Sequence, residues 1–186
     1  MPNPNSKYPS VTQVLGPYAG LECVRPDKLA AACDRGTFAH QACLAHAEGN
    51  FGFVNPEVQG YFDSFKLWFD SFVSEVVCVE PLWESHKWGY CGSPDLLLIL
   101  FNPRGAKEID IWDLKTSKAS GKTWPGQLSA YRNLALENGY DRIGRVGSLR
   151  LKEDGSMPLA DEYQYSDRDF AAFLSALNAY RYFKGA

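Results

Sequence analysis

Long apolar runs are missing from this chain. The longest, LLLILF from Leu96 to Phe101, is six residues, whereas a helix needs roughly 20 to cross a bilayer. The opening MPNPNSKYPS has neither the basic nor the apolar region of a signal peptide. A cytoplasmic protein with no membrane contact is the expectation. Cysteines are few and odd in number. Cys23, Cys33, Cys43, Cys78 and Cys91 form no C-x-x-C pair, which excludes the spacings of a zinc ribbon and gives no disulfide framework. Reduced, mostly buried thiols are expected. Repeats and low-complexity tracts are absent too. With 186 residues, 45% hydrophobic and 22% charged, one well-buried core is affordable in size and two ordinary domains are not. The reading is a single domain over 1–186, with a leader and short helix in 1–25 and the core in 26–186.

Charge is also in short supply, the net value being −3. Its distribution is uneven. Between Leu114 and Lys152 stand eight basic residues (Lys115, Lys118, Lys122, Arg132, Arg142, Arg145, Arg150, Lys152) against two acidic ones, Glu137 and Asp141. That run predicts a basic face able to hold a phosphate backbone, although solvated surface charges would look the same in sequence.

What is present reads as alternating elements. Ser10 caps a short helix that Gly16 ends, and an Ala-rich helix runs from Pro26 to about Glu48. A third helix over 56–72 carries Tyr61, Phe62, Phe65, Trp68, Phe69 and Phe72 at spacings of three and four, a stripe expected in the core. From Glu75 the pattern turns to β: VVCVEPLW, KWGYCG, SPDLLLILFN and, after Asn-Pro-Arg-Gly, KEIDIWDLKT. A helix follows from Trp124 to near Gly139, then two short strands about a Glu-Asp-Gly turn, then a closing helix from Asp167 to Phe183. Helices before, between and after a mixed β-sheet give an α/β fold.

The turn Pro103-Arg104-Gly105 suits a three-residue hairpin loop, with glycine supplying the left-handed residue. Centred on Arg104, the hairpin sets Asp95 opposite Asp113, with Cβ atoms about 4.5–5.5 Å apart. Lys115 projects from the same face as Asp113 because side chains alternate along a strand. Two carboxylates so close cannot both ionise without compensation, and a divalent cation supplies it. A lone D-x-K string is common at surface strand ends. This one is set apart by its partner Asp95 and by the apolar flanks LLLIL and IDIW.

Pro94-Asp95 followed by Asp113-Leu-Lys115 resembles the PD-(D/E)xK nuclease signature. Three further stretches resemble motifs of its RecB-like branch: Arg35-Gly-Thr-Phe-Ala-His40 its G-x-x-x-H, Gln127-Leu-Ser-Ala-Tyr131 its Q-x-x-x-Y, and Tyr8-Pro-Ser-Val-Thr12 the opening of phage and mitochondrial-type exonucleases. Together they span 8–131 in the expected order. The resemblance implies a restriction-endonuclease-like core, a mixed sheet flanked by helices.

It also implies roles. Asp95, Asp113, the Leu114 backbone carbonyl and His40 would hold one or two Mg²⁺ or Mn²⁺ ions, with Glu80 as a further ligand and Glu84 its competitor. Such a cation activates water and neutralises charge developing on phosphate. Lys115 would orient or help deprotonate that water, and Gln127 and Tyr131, one helical turn apart, would face it. Gly36 would let its helix approach sheet or substrate closely. Thr116, Ser117, Lys118, Lys122 and Arg132 are the candidate backbone contacts, and Trp124, Trp88 and Tyr90 candidate stacking surfaces for bases. His46 and His86 match no motif. Cysteines placed late in the chain, which iron–sulfur relatives carry, are lacking after Cys91, so no iron–sulfur cluster is expected.

The function expected is metal-dependent hydrolysis of DNA, as an exonuclease acting on linear ends with a preference for single strands, in recombination, replication or repair within a prokaryotic or phage-infected cell. A recombination or single-strand-binding protein is a possible partner, and an oligomer is allowed. The rivals are a site-specific or structure-specific endonuclease on the same fold, and a catalytically silent nuclease-fold protein that binds DNA or another protein.

Overall fold

A computed structural model describes residues 6–22, 24–101, 107–164 and 167–184. Helix α1, Val11–Leu15, opens on a reciprocal cap: the Ser10 hydroxyl accepts from the Gln13 amide at 3.2 Å, and Gln13 Oε1 accepts from the Ser10 amide at 2.9 Å. Helix α1 ends with Gly16 as its C-cap, as expected, and a 3₁₀ turn over Gly16–Tyr18 follows. Helix α2, Pro26–Ala47, starts with proline in its first turn, where the missing N–H costs nothing. A 3₁₀ turn at Pro56–Val58 leads into α3, Gln59–Phe72.

The strands are β1 (Val73–Val79), β2 (Trp83–Ser85), β3 (Tyr90–Gly92), β4 (Leu96–Leu100), β5 (Ile109–Lys115), β6 (Ile143–Arg150) and β7 (Leu159–Glu162). Helix α4, Trp124–Glu137, joins β5 to β6, and α5, Asp167–Lys184, follows β7. The five-stranded sheet runs β1-β4-β5-β6-β7, with β5 and β6 parallel and the other pairings antiparallel. Only a parallel pair needs a crossover, and α4 supplies it. The remaining two strands, β2 and β3, pair with each other. The fold is thus α/β, a mixed sheet with helices on both faces. VVCVEPLW, read as one strand, is broken. Glu80 takes a left-handed φ of 43° and Pro81 follows, so β1 ends at Val79 and β2 begins anew.

Two apolar clusters fill the faces of the sheet. On one side α1, α4 and α5 bring Val11, Leu128, Leu134, Phe173 and Leu177 onto Leu97 and Ile111. On the other α2 and α3 bring Cys43, Phe65 and Trp68 onto Leu96, Leu98, Trp112 and Leu114. Alternation along β5 therefore sends Leu114 to the α2–α3 side and Asp113 to the α4 side. No described helix is long and apolar enough to cross a membrane. Of the described cysteines, all free, Cys43 and Cys91 are buried, Cys78 is half-buried and Cys33 is exposed; Cys23 lies outside the described residues.

Register between β4 and β5 is centred on position 104, with Leu96 opposite Trp112, Leu97 opposite Ile111 and Leu98 opposite Asp110. The turn itself, 102–106, lies outside the described residues. The β6–β7 turn is fastened to α3 at two points. The buried Ser64 hydroxyl donates to the Ser156 carbonyl at 2.7 Å and accepts from the Lys152 amide at 3.0 Å. Gly60 lies so close to the turn that a Cβ there would sit 1.7 Å from the Glu153 carbonyl oxygen. Alanine in a helix normally gains about 1 kcal/mol over glycine. Here backbone must move and the Ser64 bridge is strained, so Gly60→Ala is expected to destabilise by about 2–4 kcal/mol. Thermal unfolding should show a midpoint lowered by roughly 5–12 °C; an unchanged or raised midpoint would contradict the close approach.

Candidate active site

Asp95 stands one residue before the first β4–β5 pair, so the register carries its side chain to the end of β5. Its Oδ2 accepts from the Leu114 amide at 2.6 Å. Asp113, next in the strand, is 3% exposed. Its Oδ1 accepts from Gln127 Nε2 at 3.1 Å, while Oδ2 faces the Lys115 ammonium at 2.5 Å and has no hydrogen bond of good angle. Lys115 also donates to Gln127 Oε1 at 3.2 Å, and Gln127 Nε2 reaches the Tyr131 hydroxyl at 3.2 Å. The i, i+4 pair on α4 thus faces the strand pair as its spacing implied.

From the other side of the sheet, α2 sends His40 over the end of β5. Its Nε2 lies 2.7 Å from the Leu114 carbonyl oxygen. A carbonyl only accepts, so Nε2 carries the proton. Nδ1 lies 3.5 Å from Asp95 Oδ2. One turn earlier, Gly36 abuts the sheet: a Cβ there would meet Thr116 Oγ1 at 3.8 Å.

His40, Asp95, Asp113, Lys115, Gln127 and Tyr131 border a cavity of about 210 Å³, together with Glu80, Leu82, Ser10, Thr12, Cys91, Gly92 and Ser93. Glu80 therefore stands at the cavity, its amide donating to the Asp95 carbonyl at 3.0 Å. Glu84, on β2 and paired with Cys91, does not line it. Ser10 and Thr12 were not assigned roles from sequence, although they lie in the Tyr8–Thr12 motif. The Pro9 carbonyl accepts from the Cys91 amide at 3.0 Å, which ties that motif to the cavity wall. A roomier cavity, about 560 Å³, lies between α2, α3 and the segment 50–55 and includes none of the carboxylates above.

Electrostatically the site is short of positive charge. Burial pushes the Asp95 carboxyl up to about 6, with Asp113 adding to the rise and His40, Lys115 and the Leu114 amide opposing it. Burial works against the Lys115 ammonium, but the close Asp113 carboxylate, then Asp95, outweigh it and raise the amine further. Lys115 is thus held as a cation here, which suits orientation and charge stabilisation better than proton abstraction. Tyr131 is pushed well above the ordinary phenol range, by burial first and then by Asp113.

The donor types fit a hard divalent cation: two carboxylates, a carbonyl oxygen and an imidazole. Two buried carboxylates, Asp95 and Asp113, served by a single ammonium are the observation that favours such a guest. Among the described residues no three His, Cys, Asp or Glu side chains already surround one point; the donors are closed on one another through Lys115, Gln127 and the His40 imidazole.

Several sequence-based expectations need correcting. Tyr90 is fully buried, its hydroxyl donating to the Ala130 carbonyl and its ring against Phe173, so it offers no face to a base. Trp124 is only 8% exposed and its ring lies 5.4 Å from Lys115 Nζ, which makes it a neighbour of the amine and not a stacking platform. Trp88 is half-buried, edge-on to Phe170. The basic run does not form one face. Since β6 runs parallel to β5 with Arg150 level with Lys115, Arg145 and Arg142 fall towards the opposite end of the sheet, roughly 17 Å and 26 Å away at about 3.3 Å per residue. Arg145 pairs with Asp110 at 2.8 Å and Arg150 with Asp161 at 2.5 Å. Lys118 and Lys122 are exposed, Thr116 and Arg132 half-buried, and the exposed Ser117 donates its hydroxyl to the Ala119 carbonyl. His46 is enclosed by Phe51, Phe62, Phe65 and Phe69.

No family model and no curated protein matches the chain.

Proposed function

We propose that this chain is a PD-(D/E)xK nuclease of the RecB-like branch, on a restriction-endonuclease-like core, that hydrolyses DNA with Mg²⁺ or Mn²⁺ and acts from linear ends. The observation that carries the reading is the gathering of Asp95, Asp113, Lys115, Gln127 and His40, from four separate stretches of sequence, around one small polar cavity. A protein using the fold only for binding has no physical need for two buried carboxylates and an ammonium at the same point, since each is costly to desolvate.

Asp95, Asp113, the Leu114 carbonyl and His40 would hold the cation, with Glu80 at the rim. The bound cation supplies an activated water and neutralises charge on the phosphate. Lys115, fixed by Asp113 and Gln127, presents its ammonium to the phosphate oxygens. Gln127, held between Asp113, Lys115 and Tyr131, keeps that ammonium in place. For His40 to share the cation with the Leu114 carbonyl through Nε2, the imidazole would change tautomer, its proton passing from Nε2 to Nδ1 beside Asp95 Oδ2.

Labelled linear single-stranded, linear duplex and circular DNA, each incubated with Mg²⁺, Mn²⁺ or EDTA, test this reading. Loss of the linear substrates with either metal, none in EDTA and survival of circles are expected. Cleaved circles would remove the end-dependence and favour the endonuclease rival; full activity in EDTA would remove the metal.

A further inference from the structure

A third cavity, of about 460 Å³, opens at the same end of β5 on the α2–α3 side. Its walls are apolar, from Tyr61, Leu151 and Leu159, and its rim carries the Thr116 hydroxyl, Lys118 and Lys152. The walls are held firmly. Gly60 and Ser64 clamp the β6–β7 turn onto α3 as described above, and Arg150, anchored by Asp161, donates to the Lys118 carbonyl at 2.9 Å and so fixes the segment after β5. The Arg35 guanidinium lies 5.9 Å from the centre of the Tyr61 ring. Glu153 and Asp154 also border the cavity, Glu153 lying 3.9 Å from Lys118.

We propose that this cavity receives one nucleotide of the strand being cut, the neighbour of the scissile phosphate, with its base against Leu151, Leu159 and Tyr61 and its phosphate on Thr116 and Lys118. The inference rests on the nuclease reading and adds a subsite to it. Continuity is the first support. Thr116 follows Lys115 directly, consecutive Cα atoms being about 3.8 Å apart, so the rim begins where the next phosphate of a strand leaving Lys115 would lie. Gly36 of α2 faces Thr116 without a side chain, a Cβ there meeting Thr116 Oγ1 at 3.8 Å. Chemistry is the second support. A nucleotide is a flat, largely apolar base joined to an anion, and apolar walls under a cationic rim match both halves. Base contacts of this kind tolerate any sequence, as an end-dependent enzyme requires.

Leu159 is 47% exposed at the mouth, so Leu159→Trp fills the cavity without disturbing the core, and Lys118→Ala removes a rim charge that carries no packing. Oligodeoxynucleotides with a single abasic position, moved stepwise along the strand from the cut bond, are cleaved under Mn²⁺ by the full chain and by each variant. The wild type should show a KM raised about tenfold for the oligonucleotide whose missing base adjoins the cut bond, and little change for more distant positions. Leu159→Trp should raise KM by a similar factor on the intact strand, keep kcat at saturation, and gain no further penalty from the abasic position, the non-additivity expected of two changes in one contact. Lys118→Ala should raise KM for intact and abasic strands alike. Cleavage of the intact strand by the wild type, abolished in EDTA, stands as the separate check on the nuclease reading. If that cleavage occurs but no abasic position matters, or if the abasic and Leu159→Trp penalties simply add, the subsite is refuted while the nuclease reading stands.

Discussion

Asp113→Ala is expected to lower Mn²⁺-dependent cleavage of linear DNA at least about a thousandfold, the cost of losing roughly 4 kcal/mol of charge stabilisation at a cation site. Asp113 is the hub of the candidate site. One oxygen holds Gln127, the other faces Lys115, and both partners lose their anchor when the carboxylate goes. Alanine also leaves the Lys115 ammonium buried beside Gln127 with only Asp95 to offset it, so the amine should drift or lose its proton. The deficit therefore falls on kcat more than on KM, because the lost contacts serve the reacting phosphate and not the strand as a whole. Asp113→Asn is the companion, since it keeps the shape and the Gln127 contact and removes only the charge. Single-turnover rates at saturating DNA and rising Mn²⁺ give the comparison, with melting curves to establish that each variant is folded. A folded alanine variant within tenfold of wild type would place the chemistry elsewhere and leave the carboxylates as structure.

The parts of this site that sequence revealed are those governed by local periodicity. Alternation along β5 put Asp113 and Lys115 on one side, the i, i+4 spacing put Gln127 and Tyr131 on one side, and Ser10 as the cap of α1 followed from residue type alone. The β4–β5 register centred on 104 followed from turn chemistry. Other features depend on contacts distant in sequence, which no period encodes. The basic run looked continuous because Arg142, Arg145 and Arg150 are close in sequence, but the direction of β6 separates them along the sheet. Tyr90 and Trp124 carry the same rings whether they stack on a base or fill a core, and only packing against Phe173 and Gly121 decides. The cavity beside Thr116 depends on the Gly60–Glu153 approach, between residues far apart in the chain. The break at Glu80 was available from Pro81, which cannot donate to a ladder, and the apolar run obscured it.

Asp95→Asn is expected to change stability and activity in opposite directions, which separates a functional carboxylate from a structural one. Burial raises the Asp95 carboxyl to about 6 from its ordinary 3.8. The folded chain therefore binds a proton that the unfolded chain releases between about pH 4 and pH 6. Folded stability falls as pH rises through that window, and above it the ionised group is a net cost. At about 1.4 kcal/mol per unit the full cost approaches 3 kcal/mol, and about 1–3 kcal/mol is a fair expectation after relaxation. Asparagine keeps an oxygen to accept from the Leu114 amide and carries no charge. At pH 7.5 in EDTA the variant should melt roughly 3–9 °C above wild type, and the gap should close as pH falls towards 4, where wild-type Asp95 is protonated in both states. Saturating Mn²⁺ should reverse the order. A cation at a hundred times its dissociation constant stabilises by roughly 2.7 kcal/mol, a gain open to wild type and largely lost to a variant lacking one of its anions. Cleavage by the variant should fall with that affinity. A variant less stable than wild type in EDTA at neutral pH would mean that the Asp95 charge is held by its neighbours for the sake of the fold, and would withdraw the physical ground for a cation at this point.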